Sequence, residues 1–103
     1  PISLCLSADH KLYFGANNDL GYAEADAKGT LQYHSLTHLL PDSLRKSIGW
    51  VHHCAEYKGK IYFAAEYALY VFNGKTLEVT HPSKGNKFLF LRCHCYWHKM
   101  GLL

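Results

Sequence analysis

Hydrophobic residues in this chain come in short blocks cut by polar, turn-forming clusters. Residues 2–6 are an apolar run, closed by the polar turn Asp9-His10-Lys11. Leu12-Tyr13-Phe14-Gly15-Ala16 forms a second run, closed by Asn17-Asn18-Asp19. Asn and Asp tolerate left-handed backbone, so this cluster reads as a tight turn. Residues 20–25 and 30–33 supply two more runs, on either side of Asp26-Ala27-Lys28-Gly29. Short apolar blocks bounded by such turns predict four β-strands.

The second half repeats the scheme with runs at 50–57, 60–65, 69–72 and 76–80. Lys58-Gly59 separates the first two. Asn73-Gly74 separates the last two and predicts a two-residue type I′ hairpin, in which both residues take φ > 0. The runs 61–65 and 69–72 are apolar at nearly every position. A sheet with one wet face alternates, so this continuity predicts strands covered on both sides. Between the halves, Leu36, Leu39, Leu40, Leu44 and Ile48 have roughly helical spacing, but Pro41 interrupts it. Residues 35–49 therefore read as a connection, either a plain ordered loop or one carrying a single helical turn around 42–47.

The two halves are also alike residue by residue. Lys11-Leu12-Tyr13-Phe14-Gly15-Ala16 and Leu20 align without a gap on Lys60-Ile61-Tyr62-Phe63-Ala64-Ala65 and Leu69, at an offset of 49 residues. A weaker third copy starts at Cys95-Tyr96-Trp97. A repeat of about 40–50 residues holding four strands is the mark of a β-propeller blade. The expected fold is all-β: a partial β-propeller of about two four-stranded antiparallel blades plus the start of a third. The units are a blade at 1–34, the connection 35–49, a blade at 50–82 and a partial unit at 86–103.

Two stretches carry a more particular likeness. Leu12-Tyr13-Phe14-Gly15-Ala16-Asn17-Asn18-Asp19-Leu20-Gly21-Tyr22 resembles the two-component-regulator propeller repeat. So does Ile61-Tyr62-Phe63-Ala64-Ala65 followed by Leu69-Tyr70-Val71-Phe72-Asn73-Gly74-Lys75. The shared pattern is an apolar-Tyr-aromatic-Gly stretch, a polar turn, then Gly-Leu-Tyr and an aromatic. The resemblance implies a segment of the extracytoplasmic sensor of a hybrid histidine kinase or related regulator, of the kind found in Bacteroides-type bacteria. It implies a periplasmic location, a non-catalytic role and an oligosaccharide as ligand. A protein-interaction scaffold and a propeller lyase or hydrolase are the alternatives. Closed propellers need about four blades or more. The expected partners are therefore the remaining blades of a larger propeller or another copy of this chain. The start at Pro1 rather than Met points the same way, to a piece of something larger.

Composition narrows this reading. Apolar residues make up 49% and charged residues 18% of 103 residues, too apolar for a disordered segment. The net charge of +3 comes without a basic run, so nucleic acid is not an expected partner. The longest unbroken apolar stretch is Phe88-Leu89-Phe90-Leu91, far short of the roughly 20 residues of a membrane helix. No membrane contact is expected of this segment.

Candidate chemistry is sparse. Cys5, Cys54, Cys93 and Cys95 allow three disulfide pairings, but all four lie in apolar runs, which favours buried free thiols. His52-His53-Cys54 and Cys93-His94-Cys95 with His98 are the residues a zinc ion would need, at a spacing that matches no structural knuckle. His34 and His38 would share a face only on a helix. No nucleophile elbow and no phosphate-cradling glycine pattern is present, so no catalytic residue, metal site or cofactor is expected. The candidates for ligand contact are aromatic and acidic: Trp50, Tyr22, Tyr67 and Glu66. Glu66 and Tyr67 lie in a turn between strands, where exposure is expected.

Overall fold

The computed structural model describes residues 2–81. They form two antiparallel sheets of four strands each, every strand pairing with the next in sequence. The first sheet holds β1 (Ser3–Leu6), β2 (Leu12–Ala16), β3 (Asp19–Ala25) and β4 (Leu31–Ser35). The second holds β5 (Val51–Tyr57), β6 (Lys60–Ala65), β7 (Leu69–Phe72) and β8 (Leu77–Thr80). The fold is all-β, built of two blade-like units as the repeat implied. The partial third unit at 86–103 lies outside the described residues, as do Cys93, His94, Cys95 and His98.

Turn chemistry explains the connections, with one correction. The type I′ geometry falls at Lys58-Gly59, where both residues have positive φ (50° and 79°). Asn73-Gly74 is not a two-residue hairpin. Four residues separate β7 from β8, and among them only Gly74 has positive φ (100°). The Asn73 side chain bends the chain instead. Its Oδ1 accepts the N–H groups of Lys75 at 2.9 Å and Thr76 at 2.8 Å. Asn competes for local backbone donors in this way, and the extra bonds favour the wider loop. Asp26 does the same between β3 and β4, accepting from Lys28 and Thr30.

The connection between the sheets carries more helix than its spacing suggested. A 3-10 turn covers Thr37–Leu39 and the short α1 covers Asp42–Arg45. Pro41 stands at the start of α1, where its missing N–H costs nothing. Arg45 ties the two turns together through the carbonyls of Thr37 and Leu40 and an ion pair with Asp42 at 2.8 Å. Leu36, Leu40 and Ile48 are buried against the strands.

The core lies between the sheets. Tyr13 of β2 meets Phe63 and Phe72 of the second sheet, each at 6.2 Å between ring centroids. Burial along the two equivalent strands is out of phase. In β2 the buried residues are Tyr13 and Gly15; in β6 they include Ile61, Phe63 and Ala65, which match Leu12, Phe14 and Ala16 at the 49-residue offset. Alternate strand positions face opposite sides of a sheet. Sheet one is therefore covered on one face by sheet two, and sheet two on the opposite face by sheet one. Among the described residues, the outer strands of the face of sheet one that corresponds to the covered face of sheet two are left exposed, while Ala23 on its inner β3 is buried. Leu4, Leu6 and Tyr33 lie on that face, 60%, 68% and 74% exposed.

Candidate functional site

The residues singled out from the sequence fall in two places. Trp50, Glu66 and Tyr67 come together at the joint between the sheets. The tip of the β2–β3 hairpin reaches across to residue 50, where Asn17 and Trp50 form an isolated antiparallel bridge. Asn18, in left-handed backbone at φ 57°, donates its N–H to the carbonyl of Gly49 at 2.7 Å. The Gly49 N–H returns to Asn18 Oδ1, also at 2.7 Å. On the other side of the joint, the Glu66 N–H donates to the Trp50 carbonyl at 2.8 Å. Glu66 Oε1 accepts the Trp50 N–H at 3.3 Å. A short segment, 49–50, is thus held between one turn of each sheet.

This arrangement leaves two aromatic side chains in partial contact with solvent, Trp50 at 37% and Tyr67 at 38% exposure. Glu66 lies between them in the chain of contacts. Hydrogen bonding to Glu66, with its negative charge, raises the Tyr67 hydroxyl above its ordinary range. Gly49 makes room for the pair: a Cβ there would lie 2.9 Å from the Tyr67 ring and 3.1 Å from Glu66. Trp50 also lines a recess of about 120 Å³ with Ile2, Ser3, Val51 and His52. The chemistry on offer is flat aromatic surface beside a carboxylate acceptor. Such surfaces take the apolar face of a ring and the hydroxyl groups at its edge.

Tyr22 is elsewhere. It borders an open cleft of about 410 Å³ between the sheets with His34, His38 and Lys75. Its ring is already occupied: His34 stacks on it at 4.8 Å and the Lys11 ammonium sits 4.8 Å from its centroid. His34 Nε2 lies 3.7 Å from Glu24, and His38 Nδ1 bonds the Ser35 carbonyl at 2.9 Å. His34 lies in β4 and His38 sits in the 3-10 turn, so they do not share a helix face as a pair four apart would. No three His, Cys, Asp or Glu side chains gather among the described residues. Asn18 and Gly49 are parts of the joint that sequence reasoning missed. Asn18 lay inside a turn signal, but its partner 31 residues away is set by tertiary contact alone.

No family model, no curated protein and no solved structure matches the chain. Among the described residues, no helix is long and apolar enough to cross a membrane.

Proposed function

We propose that this chain is a non-catalytic segment of a larger β-propeller, in the extracytoplasmic sensor of a two-component regulator, and that an oligosaccharide binds at the joint between its blades. The observation that carries the reading is the exposure of the outer strands on one face of sheet one. Leu4, Leu6, Phe14 and Tyr33 occupy positions that correspond, through strand register, to Cys54, Glu56, Phe63 and Leu77 of sheet two, which sheet one covers. A face whose counterpart in the repeat is covered calls for a further wedge of the same kind. Exposed apolar strands of this sort mark an interaction surface. The sensor role and the periplasmic location rest on the resemblance of the repeats.

Ligand binding is supported by Trp50, Glu66 and Tyr67 meeting where two blades join. The test is calorimetric titration of the chain against a panel of neutral and acidic oligosaccharides. The expected result is saturable binding to at least one of them, weakened about tenfold or more by Trp50→Ala or Tyr67→Ala and unchanged by Tyr33→Ala. Absence of binding across the panel, or binding indifferent to both joint variants, removes the carbohydrate reading.

A further inference from the structure

Two thiols face each other across the interface between the sheets. Cys5 in β1 pairs with Tyr13 of β2, and Cys54 in β5 pairs with Phe63 of β6. Tyr13 and Phe63 are in edge contact, which brings their strand neighbours opposite one another. Two hydrogen bonds bracket the thiols. Ser3 Oγ donates to the Val51 carbonyl at 3.2 Å, and the Ala8 N–H donates to Glu56 Oε1 at 3.0 Å. Both span 48 residues, so β1 and β5 run side by side in a fixed register that sets Cys5 within one position of Cys54. Cα atoms of the two strands approach within 8 Å. Each thiol feels the other's presence electrostatically.

We propose that Cys5 and Cys54 are a redox pair, and that a small-molecule disulfide such as glutathione disulfide converts them into a disulfide that staples the first sheet to the second. Cys5, at the end of the chain segment with the more exposed strand, attacks first. Its thiolate displaces one glutathione thiolate and forms a mixed disulfide. The Cys54 thiolate then attacks the Cys5 sulfur and displaces the second glutathione. Two S–H bonds and one S–S bond break, one S–S bond forms in the protein, and both protons and both electrons end on the two glutathione thiols. Burial pushes both protein thiols up from their ordinary range, so the thiolate is scarce near neutrality and the exchange quickens as pH rises. The bond would close a loop that contains β2, β3, β4 and the connection. The first sheet has the outer strands of one face exposed and gains the most from an added tether.

The test is incubation of the full chain in glutathione buffers from fully reduced to fully oxidised at pH 8, followed by acid quench, alkylation and peptide mapping. The expected product is a peptide pair joined through Cys5 and Cys54, reversed by excess reduced glutathione. Oxidation should raise the melting temperature by about 10 °C, a shift absent in Cys5→Ser. Alkylation of both residues in the most oxidising buffer overturns the proposal. So does a map in which they are linked only to Cys93 or Cys95. Because the mapping uses the unaltered chain, a variant that fails to fold leaves the outcome decidable.

Discussion

Gly15 of β2 lies against the side chain of Val51 of β5 with no room for a methyl group between them. A Cβ on Gly15 would stand 2.7 Å from Val51 Cβ and 2.7 Å from Ser3 Oγ. The two blade-like sheets touch here through backbone on one side and a branched side chain on the other. Gly15→Ala is expected to cost about 1–3 kcal/mol, because the sheets must part to admit the methyl. Urea unfolding measures this directly. Val51→Ala in the same chain should recover part of the loss, since it vacates the volume the new methyl needs. Strict additivity of the two changes would show that the residues do not share that space.

Phe14 and Phe63 are the same residue of the repeat in different surroundings. Phe63 is fully buried, whereas Phe14 is only partly buried and packs on Tyr33 at 6.1 Å. Phe63→Ala should cost about 3–5 kcal/mol, as core aromatic truncations do. Phe14→Ala should cost about half that or less, because less area leaves contact with protein. Equal losses in thermal or urea unfolding of the monomer would contradict the assignment of a partly exposed face to sheet one.

That face also predicts association. Leu4 and Leu6 are more than half exposed on adjacent alternate positions of an edge strand. Such an edge pairs or stacks with other molecules as concentration rises. Sedimentation velocity should show oligomers of the unaltered chain, and Leu4→Lys with Leu6→Lys should shift it to monomer. Monomer stability should change by only about 0.5 kcal/mol, since neither side chain is buried. A chain that stays monomeric at high concentration would mean that this exposure is tolerated.

Stability should fall in alkali. Burial raises the Tyr13 hydroxyl to about 12 from its ordinary 10.0, and it raises Tyr70 in the same direction. The folded state holds these protons more tightly than the unfolded chain does. The contribution is therefore complete below pH 10 and is lost as pH climbs from 10 towards 12. Tyr13→Phe should flatten this limb of the stability–pH curve relative to the unaltered chain. Curves of identical slope between pH 10 and 12 would contradict the assignment.

Eight strands were legible because each is a short apolar block with turn residues at both ends, and the repeat of Lys-x-Tyr-Phe tied the halves together. The turn types were less legible. Asn73-Gly74 has the residues of a type I′ hairpin, yet its Asn side chain captured two backbone donors and widened the loop. Lys58, a residue with no preference for positive φ, takes it because β5 and β6 pair right up to Tyr57 and Lys60. Of the candidate site, the exposure of Tyr67 followed from its turn. The meeting of Trp50 with Glu66 depends on how the second sheet starts against its own β6–β7 turn, and no local pattern encodes it. Tyr22 carries the same aromatic signal, but a neighbouring strand supplies His34 to cover its ring.

The joint itself can be taken apart at Asn18. This residue does two jobs: its backbone sits at φ 57°, and its Oδ1 accepts the Gly49 N–H at 2.7 Å. Asn18→Gly removes only the side-chain bond, because Gly enters left-handed backbone without strain. Asn18→Ala removes the bond and adds the cost of an L side chain in that region, about 1 kcal/mol more. The expected order of stability is therefore Asn, then Gly, then Ala, with Asn18→Ala about 2 kcal/mol below the unaltered chain by urea unfolding. The fluorescence of Trp50 should report the same order, since residues 49–50 lose their hold on the β2–β3 hairpin. A Gly variant less stable than the Ala variant would mean that chain entropy, rather than the Asn18–Gly49 bond and the left-handed turn, governs this corner.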